Sequence, residues 1–231
     1  MAKRKRRQEE KQTQPAKAKV PLSFQAPPWF TNRRLHAWVI FIFSVLLYAN
    51  TLTHGYVQDD AIVITENMFT SEGVSGIPGI LQYDTFYGFF KEEGKANLVA
   101  GGRYRPLSLV LFALEVELFG LNPFVSHLIN ALLYGLTSVV LYWLLLQFFQ
   151  NKKSESYVYF IALSGALLFA AHPLHTEVVA NIKGRDEILA LLGSLGALSL
   201  SLKAFYQKRQ YWSLLAAVVF LLALFSKENA I

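Results

Sequence analysis

Apolar residues are gathered in five long runs that polar segments separate. A helical bilayer crossing needs roughly 20 predominantly apolar residues. Shorter runs can cross when they tilt or when flanking side chains reach the interface. The pattern therefore predicts an all-α integral membrane fold, multipass, with about five spans. The runs cover residues 35 to about 52, 126–149, 157 to about 171, 187 to about 202, and 211–225.

A sixth apolar segment, PLSLVLFALEVELF at residues 106–119, contains Glu115 and Glu117. A segment of about 14 residues suits an amphipathic helix at the membrane interface better than a span. It belongs to a long first loop, residues 53–125, that glycines interrupt repeatedly. We expect that loop to form a small irregular or helical cap.

Charges in the loops predict the orientation of the chain. One set of alternate segments, namely the N-terminal tail, the NKKSES loop and the KAFYQKRQ loop, holds 15 of the 22 Lys and Arg but only 3 of the 16 acids. Positive charge marks the cytoplasmic face. Residues 1–34 are thus predicted to be a basic, disordered cytoplasmic tail. Residues 35–231 form the membrane domain, with loop 53–125 outside.

Composition agrees with this class and excludes several others. Hydrophobic residues make up 53% of the chain and charged residues 16%, whereas soluble domains carry about 25% charged residues. Cysteine is absent from the sequence, which excludes disulfides, thiolate metal sites and cysteine nucleophiles. The net charge of +6 lies in loops beside apolar runs, so it does not indicate a nucleic-acid partner.

Five polar clusters are predicted to lie on the same outer face, each near the end of an apolar run. An aqueous cavity at that interface would bring them together. They are YVQDDAIVITEN (56–67), DTFYG (84–88), GRYRPL (102–107), HPLHTEVVANIKGRDE (172–187) and SKENA (226–230).

Asp59 and Asp60 are adjacent acids shortly after the first span. Neighbouring carboxylates repel, which raises the pKa of at least one of them. Such a carboxylate can take a proton from a hydroxyl nucleophile as a general base. A solvated loop turn is the alternative interpretation, and it would be the better one for an isolated pair.

Arg103 and Arg105 flank Tyr104 just before Pro106, which is suited to the first position of a helix. Guanidinium groups at a helix N-terminus can bind phosphate through a bidentate fork. Arginines that reach the membrane interface explain the same pattern equally well.

His172, His175 and Glu177 resemble a metal cluster, but Pro173 interrupts them and no HExxH pattern is present. Histidines at a membrane boundary can instead donate to a phosphate or orient a carboxylate; polar helix caps are the alternative. Charged groups near membrane depth pair with one another or serve a site. A further group of charged residues could therefore form structural ion pairs or belong to a functional site, namely Lys183, Arg185, Asp186, Glu187, Lys227 and Glu228.

The ordered motifs, namely the Asp-Asp pair, D-x-F-x-G, RYRPL, HLIN, FAAHPLHTEVVANIKGRDEILA and SKENA, resemble a known family. From about residue 35 onward the chain is similar to the multipass O-mannosyltransferases that carry tetratricopeptide repeats, which belong to the GT-C class of glycosyltransferases. The family pattern is closer to HPIHTEAV, GRAD and DFWG. The chain departs from it at Val178, at Asp186-Glu187 and in DTFYG.

This resemblance implies an active site at the outer membrane interface and a polyprenyl- or dolichyl-phosphate sugar donor, for which the family suggests mannose. The acceptor would be a Ser or Thr hydroxyl of a translocated protein. Asp59 or Asp60 would be the base. Arg103, Arg105, His172, His175 and Arg185 would hold the lipid phosphate, supported by Asp84, Glu177, Asp186, Lys227 and Glu228. No tightly bound metal or cofactor is expected; a divalent cation is possible on this account but is not expected.

Three alternatives stay open. The enzyme could act on a lipid or glycan acceptor, or the chain could be a non-catalytic membrane scaffold that anchors a repeat-type interaction domain. A transporter ranks last because residues 128–149 carry no charge. Family members continue with further helices and 34-residue repeats, so we expect this chain to be the N-terminal part of a longer protein. A bacterial inner membrane is favoured over the endoplasmic reticulum.

Overall fold

The computed structural model of the chain describes residues 27–92, 103–149 and 155–230. Regular structure within these ranges is helical throughout, which confirms the predicted all-α class. Most of the predicted basic tail, residues 1–26, lies outside the described residues. The α-helices are α1 (Arg33–Leu47), α2 (Met68–Ser71), α3 (Ile77–Gln82), α4 (Thr85–Phe90), α5 (Pro106–Phe119), α6 (Pro123–Phe149), α7 (Glu155–Ala170), α8 (His175–Ala180), α9 (Arg185–Gln207) and α10 (Gln210–Ser226).

Short helical turns connect these helices. A π-type turn covers Ala61–Thr65, directly after the aspartate pair. The 3-10 turns are Pro28–Thr31, Ala49–Thr53, Gly73–Gly76, Ile182–Gly184 and Glu228–Ala230.

Within the described ranges, two helical segments are long and apolar enough to cross a bilayer. They are Pro123–Phe149 and Ile182–Gln207, while Ser156–Ala170 and Gln210–Ser226 are apolar but shorter. These helices indicate a membrane location. By length alone, only the two long helices qualify as spans within the described residues, whereas the sequence predicts about five.

Helix α1 begins two residues before its apolar run and ends earlier than predicted. The side chain of Asn32 accepts hydrogen bonds from the backbone N–H groups of Arg34 and Leu35, both at 3.1 Å. This cap satisfies donors that the first helical turn would leave unpaired. At the other end the chain tightens into the turn Ala49–Thr53. Hydropathy detects the apolar run but not the cap.

Contacts around α6 show how the first three long helices run. His36 Nδ1 lies 3.0 Å from the hydroxyl of Tyr142, and a side chain added at Gly135 would meet the ring of Phe41. Helix α1 is therefore antiparallel to α6. The Tyr134 hydroxyl donates to the carbonyl of Ala170 at 3.1 Å, so α7 is antiparallel to α6 as well.

Helix α9 runs parallel to α6. Its first residue, Arg185, donates to Asn130 at 2.8 Å, and further along Gln147 donates to Ser199 at 2.6 Å. Helix α10 then returns antiparallel to α9, because Lys203 lies over the ring of Trp212 near their connection. Thus α1, α7 and α10 run one way and α6 and α9 the other.

Helix α5 has the predicted bounds but not the predicted amphipathic character. Its apolar residues Leu109, Phe112 and Ala113 pack in a core that residues of the first loop form together with Ile182. Glu115 is buried, while Leu118 is 71% exposed. The acid turns inward because a buried arginine, described below, pairs with it.

Candidate functional site

The two adjacent aspartates have opposite environments. Asp60 is fully buried, and its carboxylate accepts the backbone N–H groups of Val57 and Lys183, both at 2.9 Å. Burial raises the pKa of the Asp60 carboxyl, and these two donors offset part of that rise. Asp60 therefore fastens the turn of the first loop to the segment before α9.

Asp59 faces the other way. Its side chain is 51% exposed, and its Oδ2 lies 3.8 Å from Nζ of Lys183. The preceding residue, Gln58, has a φ of 25°, a backbone conformation that non-glycine residues seldom adopt. This turn lets one carboxylate enter the core while its neighbour stays in contact with solvent.

Asp59 lines a small cleft of about 50 Å³. Pockets that enclose a small-molecule ligand are typically about 300–1,000 Å³, so this cleft is too small to enclose such a ligand. The polar lining residues come from four of the five predicted clusters or their flanks, namely Asp59, Thr85, Arg103, Arg105, Ser108, Lys183 and Asp186.

Arg105 connects three parts of the chain beside the cleft. Its Nη1 donates to Asp186 at 2.6 Å, and its Nε and Nη2 donate to the two carboxylate oxygens of Glu228 at 3.0 and 2.5 Å. The hydrogen bond from Arg105 lowers the pKa of Glu228 to about 2. This guanidinium is thus committed to carboxylates of α9 and the SKENA segment.

Arg103 is exposed at the same cleft. Its guanidinium lies 5.6 Å from the ring centre of Phe86, a distance at which a cation is attracted to an aromatic face. Its carbonyl accepts the N–H of Thr85 at 2.9 Å. The two arginines of the RYR motif therefore differ, since one is buried between carboxylates and the other is accessible.

Arg185 lies in a buried network instead of the cleft. Its side chain is 1% exposed and pairs with Glu115 at 2.7 Å. It also donates to Asn130 at 2.8 Å and to the carbonyl of Ser126 at 3.1 Å. Its guanidinium lies 4.1 Å from the ring centre of Phe112. The network joins α5, α6 and α9.

The two histidines lie away from the Asp59 cleft. His175 Nδ1 is 2.9 Å from the carbonyl of Phe169 and 2.7 Å from the hydroxyl of Tyr134. Burial lowers the pKa of His175. This residue and Glu187 line a second cavity of about 360 Å³, which shares no lining residue with the cleft. His172 is exposed.

The supporting residues are spread over both regions. Asp84 caps α4, its Oδ1 accepting two backbone N–H groups at 2.8 and 3.2 Å. Asp186 pairs with Arg105 in the cleft. Lys227 pairs with Glu187 beside the second cavity. Glu177 is exposed in the first turn of α8.

Protein O-mannosyl-transferase TMTC1 of Homo sapiens is 36% identical over 150 residues, 64% of this chain and 16% of that protein. Protein O-mannosyl-transferase TMTC3 of Homo sapiens is 32% identical over 177 residues, 76% of this chain and 18% of the relative. For protein O-mannosyl-transferase F38B6.6 of Caenorhabditis elegans, the values are 32% over 167 residues, 71% and 22%.

The chain is similar to protein O-mannosyl-transferases. This finding confirms the resemblance that the motifs indicate. The chain spans only about a sixth to a fifth of the length of these O-mannosyl-transferases. No family model matches it, and no solved structure does so either.

The sequence places Lys183 in a group of charged residues that pair or serve a site, but assigns it no role at the aspartates, although it contacts both of them. Its N–H binds Asp60 and its ammonium group lies near Asp59. It lies in the turn Ile182–Gly184, where a Cβ at Gly184 would be 2.1 Å from the carbonyl of Val178. Glycine is therefore required there. The sequence NIKG predicts a turn, but nothing in the local sequence predicts that this turn packs against the first loop.

No group of three or more histidines and acids positioned to hold a metal ion occurs within residues 27–92, 103–149 and 155–230. That no metal is tightly bound therefore stays a prediction from the sequence.

Proposed function

We propose that the chain carries the catalytic face of a membrane glycosyltransferase that transfers mannose from a polyprenyl-phosphate donor to a protein Ser or Thr hydroxyl. The similarity of the chain to protein O-mannosyl-transferases supports the reaction class. One structural observation carries the assignment of the base. Asp59 is exposed at the cleft beside Lys183 and Arg103, whereas Asp60 is buried against backbone N–H groups.

In the proposed reaction, Asp59 accepts the proton of the acceptor hydroxyl as its oxygen attacks the anomeric carbon. The bond from that carbon to the phosphate oxygen breaks, and polyprenyl phosphate leaves with the bonding electrons. Positive groups beside a developing phosphate charge lower the barrier of such a step. Arg103 and Lys183 are the cations at the mouth of the cleft, and we propose that they hold the phosphate.

The buried groups receive positioning roles in this proposal. Asp60 fixes the turn that presents Asp59, and Arg105 joins the ends of three segments behind the cleft. We leave Arg185 out of the phosphate site because its nitrogens already bind protein acceptors. His175 is also left out. A carbonyl oxygen only accepts, so Nδ1 carries the proton toward Phe169, and Nε2 of the neutral ring cannot donate to a phosphate.

We further propose that the five long helices all cross the bilayer, with the Asp59 end on the non-cytoplasmic side. Their alternating directions support this threading, and the loop charges support its orientation. Helices α1, α7 and α10 are short for a span, so their polar flanks would lie at the interface. The predicted bacterial inner membrane stays a prediction, and the relatives named above come from animals.

The test is a transfer assay with the full-length protein, a polyprenyl-phosphate mannose donor and a Ser/Thr peptide acceptor. Asp59→Asn should lower kcat by about 10²–10⁴-fold, the usual contribution of general base catalysis, with an unchanged unfolding midpoint. Asp60→Asn should lower the free energy of unfolding as well, by about 1–3 kcal/mol, because a buried N–H loses its acceptor.

Glu66→Gln is the matched control, since it removes an exposed acid from the same loop. It should transfer mannose at the wild-type rate. Wild-type transfer by Asp59→Asn would exclude Asp59 as the base. Full biological function without any measurable transfer would favour the membrane scaffold instead.

A further inference from the structure

One side chain at the Asp59 cleft has a hydrogen-bonding group that the protein itself does not use. Thr85 lines the cleft together with Asp59, and it is only 8% exposed. Its hydroxyl has no hydrogen-bond partner among the residues that the structure describes. Burying a hydroxyl without a partner costs free energy, and most buried polar side chains in proteins are paired. The hydroxyl of Thr85 therefore requires an explanation of its own.

The backbone of Thr85 is held firmly, so the hydroxyl is its one unpaired polar group. The N–H of Thr85 donates to the carbonyl of Arg103 at 2.9 Å. The carbonyl of Thr85 accepts a hydrogen bond from the side-chain amide of Asn67 at 3.1 Å. Asp84 caps the helix that begins here, as described above. These contacts fix the residue in the wall of the cleft.

The place of Thr85 in α4 explains why its hydroxyl lacks an internal partner. Hydroxyls inside a helix can donate to the carbonyl four residues earlier, as Thr137 does to Leu133 at 2.8 Å. Thr85 is the first residue of α4, so no helical turn precedes it. The carbonyl four residues earlier, that of Leu81, accepts the hydroxyl of Tyr104 at 2.8 Å instead.

The cleft has room for a hydroxyl group of a substrate but not for a whole sugar. Its volume is about 50 Å³, whereas one water molecule takes up about 30 Å³ in the liquid. The oxygen of Thr85 is itself enclosed. Steps of about 120° between the staggered rotamers exchange the positions of the hydroxyl and the methyl group. The hydroxyl can therefore turn toward the cleft while the backbone stays in place.

The polar groups at the cleft suit different parts of a substrate. Asp59 is the proposed base, and Arg103 and Lys183 supply positive charge for a phosphate. A threonine hydroxyl is neutral and can both donate and accept a hydrogen bond. It matches a neutral hydroxyl group, which has the same two capacities, better than it matches an anion that already has cations beside it.

We propose that the hydroxyl of Thr85 binds a hydroxyl group of the substrate beside Asp59 and helps to position that group for transfer. This inference rests on the proposed glycosyltransferase function. Two sources offer the required chemistry, namely the Ser or Thr side chain of the acceptor and the ring hydroxyls of the donor sugar. In both cases the contact forms when substrate enters, so it contributes to catalysis and not to folding.

Thr85→Val tests the proposal, because valine removes the hydroxyl and keeps the branched shape. In the transfer assay with the full-length protein, this variant should lower kcat/KM by about 2- to 10-fold, the usual net value of one neutral hydrogen bond. Its unfolding midpoint should stay unchanged or rise, since no hydrogen bond within the described protein is lost. Thr85→Ser keeps the hydroxyl and should keep kcat/KM close to the wild-type value.

The two substrates are varied separately to identify the hydroxyl that is bound. A loss of kcat/KM that appears when the donor is varied at saturating acceptor would assign the contact to the sugar. A loss that appears when the acceptor is varied at saturating donor would assign it to the Ser or Thr side chain.

Thr70→Val is the matched control. Thr70 is fully buried in α2 of the same loop, and its hydroxyl likewise has no partner among the described residues. It does not line the cleft, however. This variant should shift the unfolding midpoint in the same direction as Thr85→Val and should transfer mannose at the wild-type rate.

Three results would overturn the inference: wild-type kinetic constants for Thr85→Val, an equal loss in Thr70→Val, or no recovery in Thr85→Ser. If the valine variant does not fold, Thr85→Ala serves the same test with Thr70→Ala as its control. An inactive Asp59→Asn beside a fully active Thr85→Val would remove this contact and leave the proposed function intact. Full transfer by Asp59→Asn would instead exclude the proposed base.

Discussion

Each side chain in the Asp59–Asp60 pair has a distinct set of partners, and the difference should be measurable. Asp60 is enclosed and accepts two backbone N–H groups, whereas Asp59 meets solvent and Lys183. A carboxyl that is buried in this way holds its proton more tightly in the folded chain than in the unfolded chain. Stability should therefore depend on pH through Asp60.

For Asp60 the ordinary pKa is 3.8 and the folded pKa is higher. Its contribution to stability is therefore complete below about pH 3.8 and is lost as pH rises through the folded pKa. Asp60→Asn cannot titrate. The difference in free energy of unfolding between wild type and Asp60→Asn should accordingly shrink as pH rises from about 4 to 7. A constant difference across that range, in detergent unfolding, would contradict the raised pKa.

Arg185 offers a second test at this scale, because the sequence suggests a phosphate ligand and the structure shows a buried ion pair with Glu115. Arg185→Lys keeps the charge but not the planar fork, so it should cost about 3 kcal/mol or more of unfolding free energy. Arg209→Lys, an exposed position near the other end of α9, should cost nothing measurable. If Arg185→Lys kept its unfolding free energy but bound the sugar donor more weakly, Arg185 would be a phosphate ligand after all.

The chemistry of single residues could be predicted only in part. Adjacent acids and an RYR motif are visible in the letters, and they do meet near one cleft. Which acid is buried depends on the N–H of Lys183, which is 123 residues from Asp60. The inward turn of Glu115 likewise depends on an arginine 70 residues away. Local patterns contain no information on such pairings.

Among the helices, the α9–α10 pair shows how small residues set a packing distance. A Cβ on Gly193 would lie 2.7 Å from the Cβ of Ala223, whereas one on Gly196 would meet Val219 at an ordinary 3.5 Å. Small residues at such contacts let membrane helices approach closely. The two glycines of one helix thus have different roles.

Gly193→Ala should destabilise the protein by about 1 kcal/mol or more, because the helices must separate to admit the methyl group. Gly196→Ala, one turn along, should stabilise it by up to about 1 kcal/mol, since alanine favours the helix over glycine. The test is to measure the free energy of unfolding of each variant relative to that of the wild type. The same sign of change for both would show that this contact does not limit the packing.

Whole helices were more predictable than their ends. Each apolar run became a helix, because burying backbone polar groups in an apolar setting requires internal hydrogen bonds. The bounds moved where a side chain acts on the backbone, as Asn32 does at the start of α1. The 3-10 turn after α1 also shortened that helix relative to its hydropathy.

On the scale of the molecule, the alternating helix directions bring the polar motifs to one end of the bundle and the basic connections to the other. Cysteine is absent from residues 1–231, so single-cysteine variants of this chain report location without background. Gly55→Cys and Leu174→Cys should react with a membrane-impermeant maleimide from the non-cytoplasmic side, and Lys208→Cys only after permeabilisation. If only one of Gly55→Cys and Leu174→Cys were labelled from that side, the two loops could not lie on the same face of the membrane.

The Arg105 junction has a consequence for how the protein is made. Its bidentate partner, Glu228, follows it by 123 residues, and synthesis proceeds from the N-terminus. Asp59 and Arg103 are thus synthesised long before the segment that anchors Arg105 exists. A nascent chain would therefore present the proposed base, Asp59, before the Arg105 junction has formed. Under the proposed mechanism, sugar transfer would have to wait until the helical hairpin of α9 and α10 has inserted.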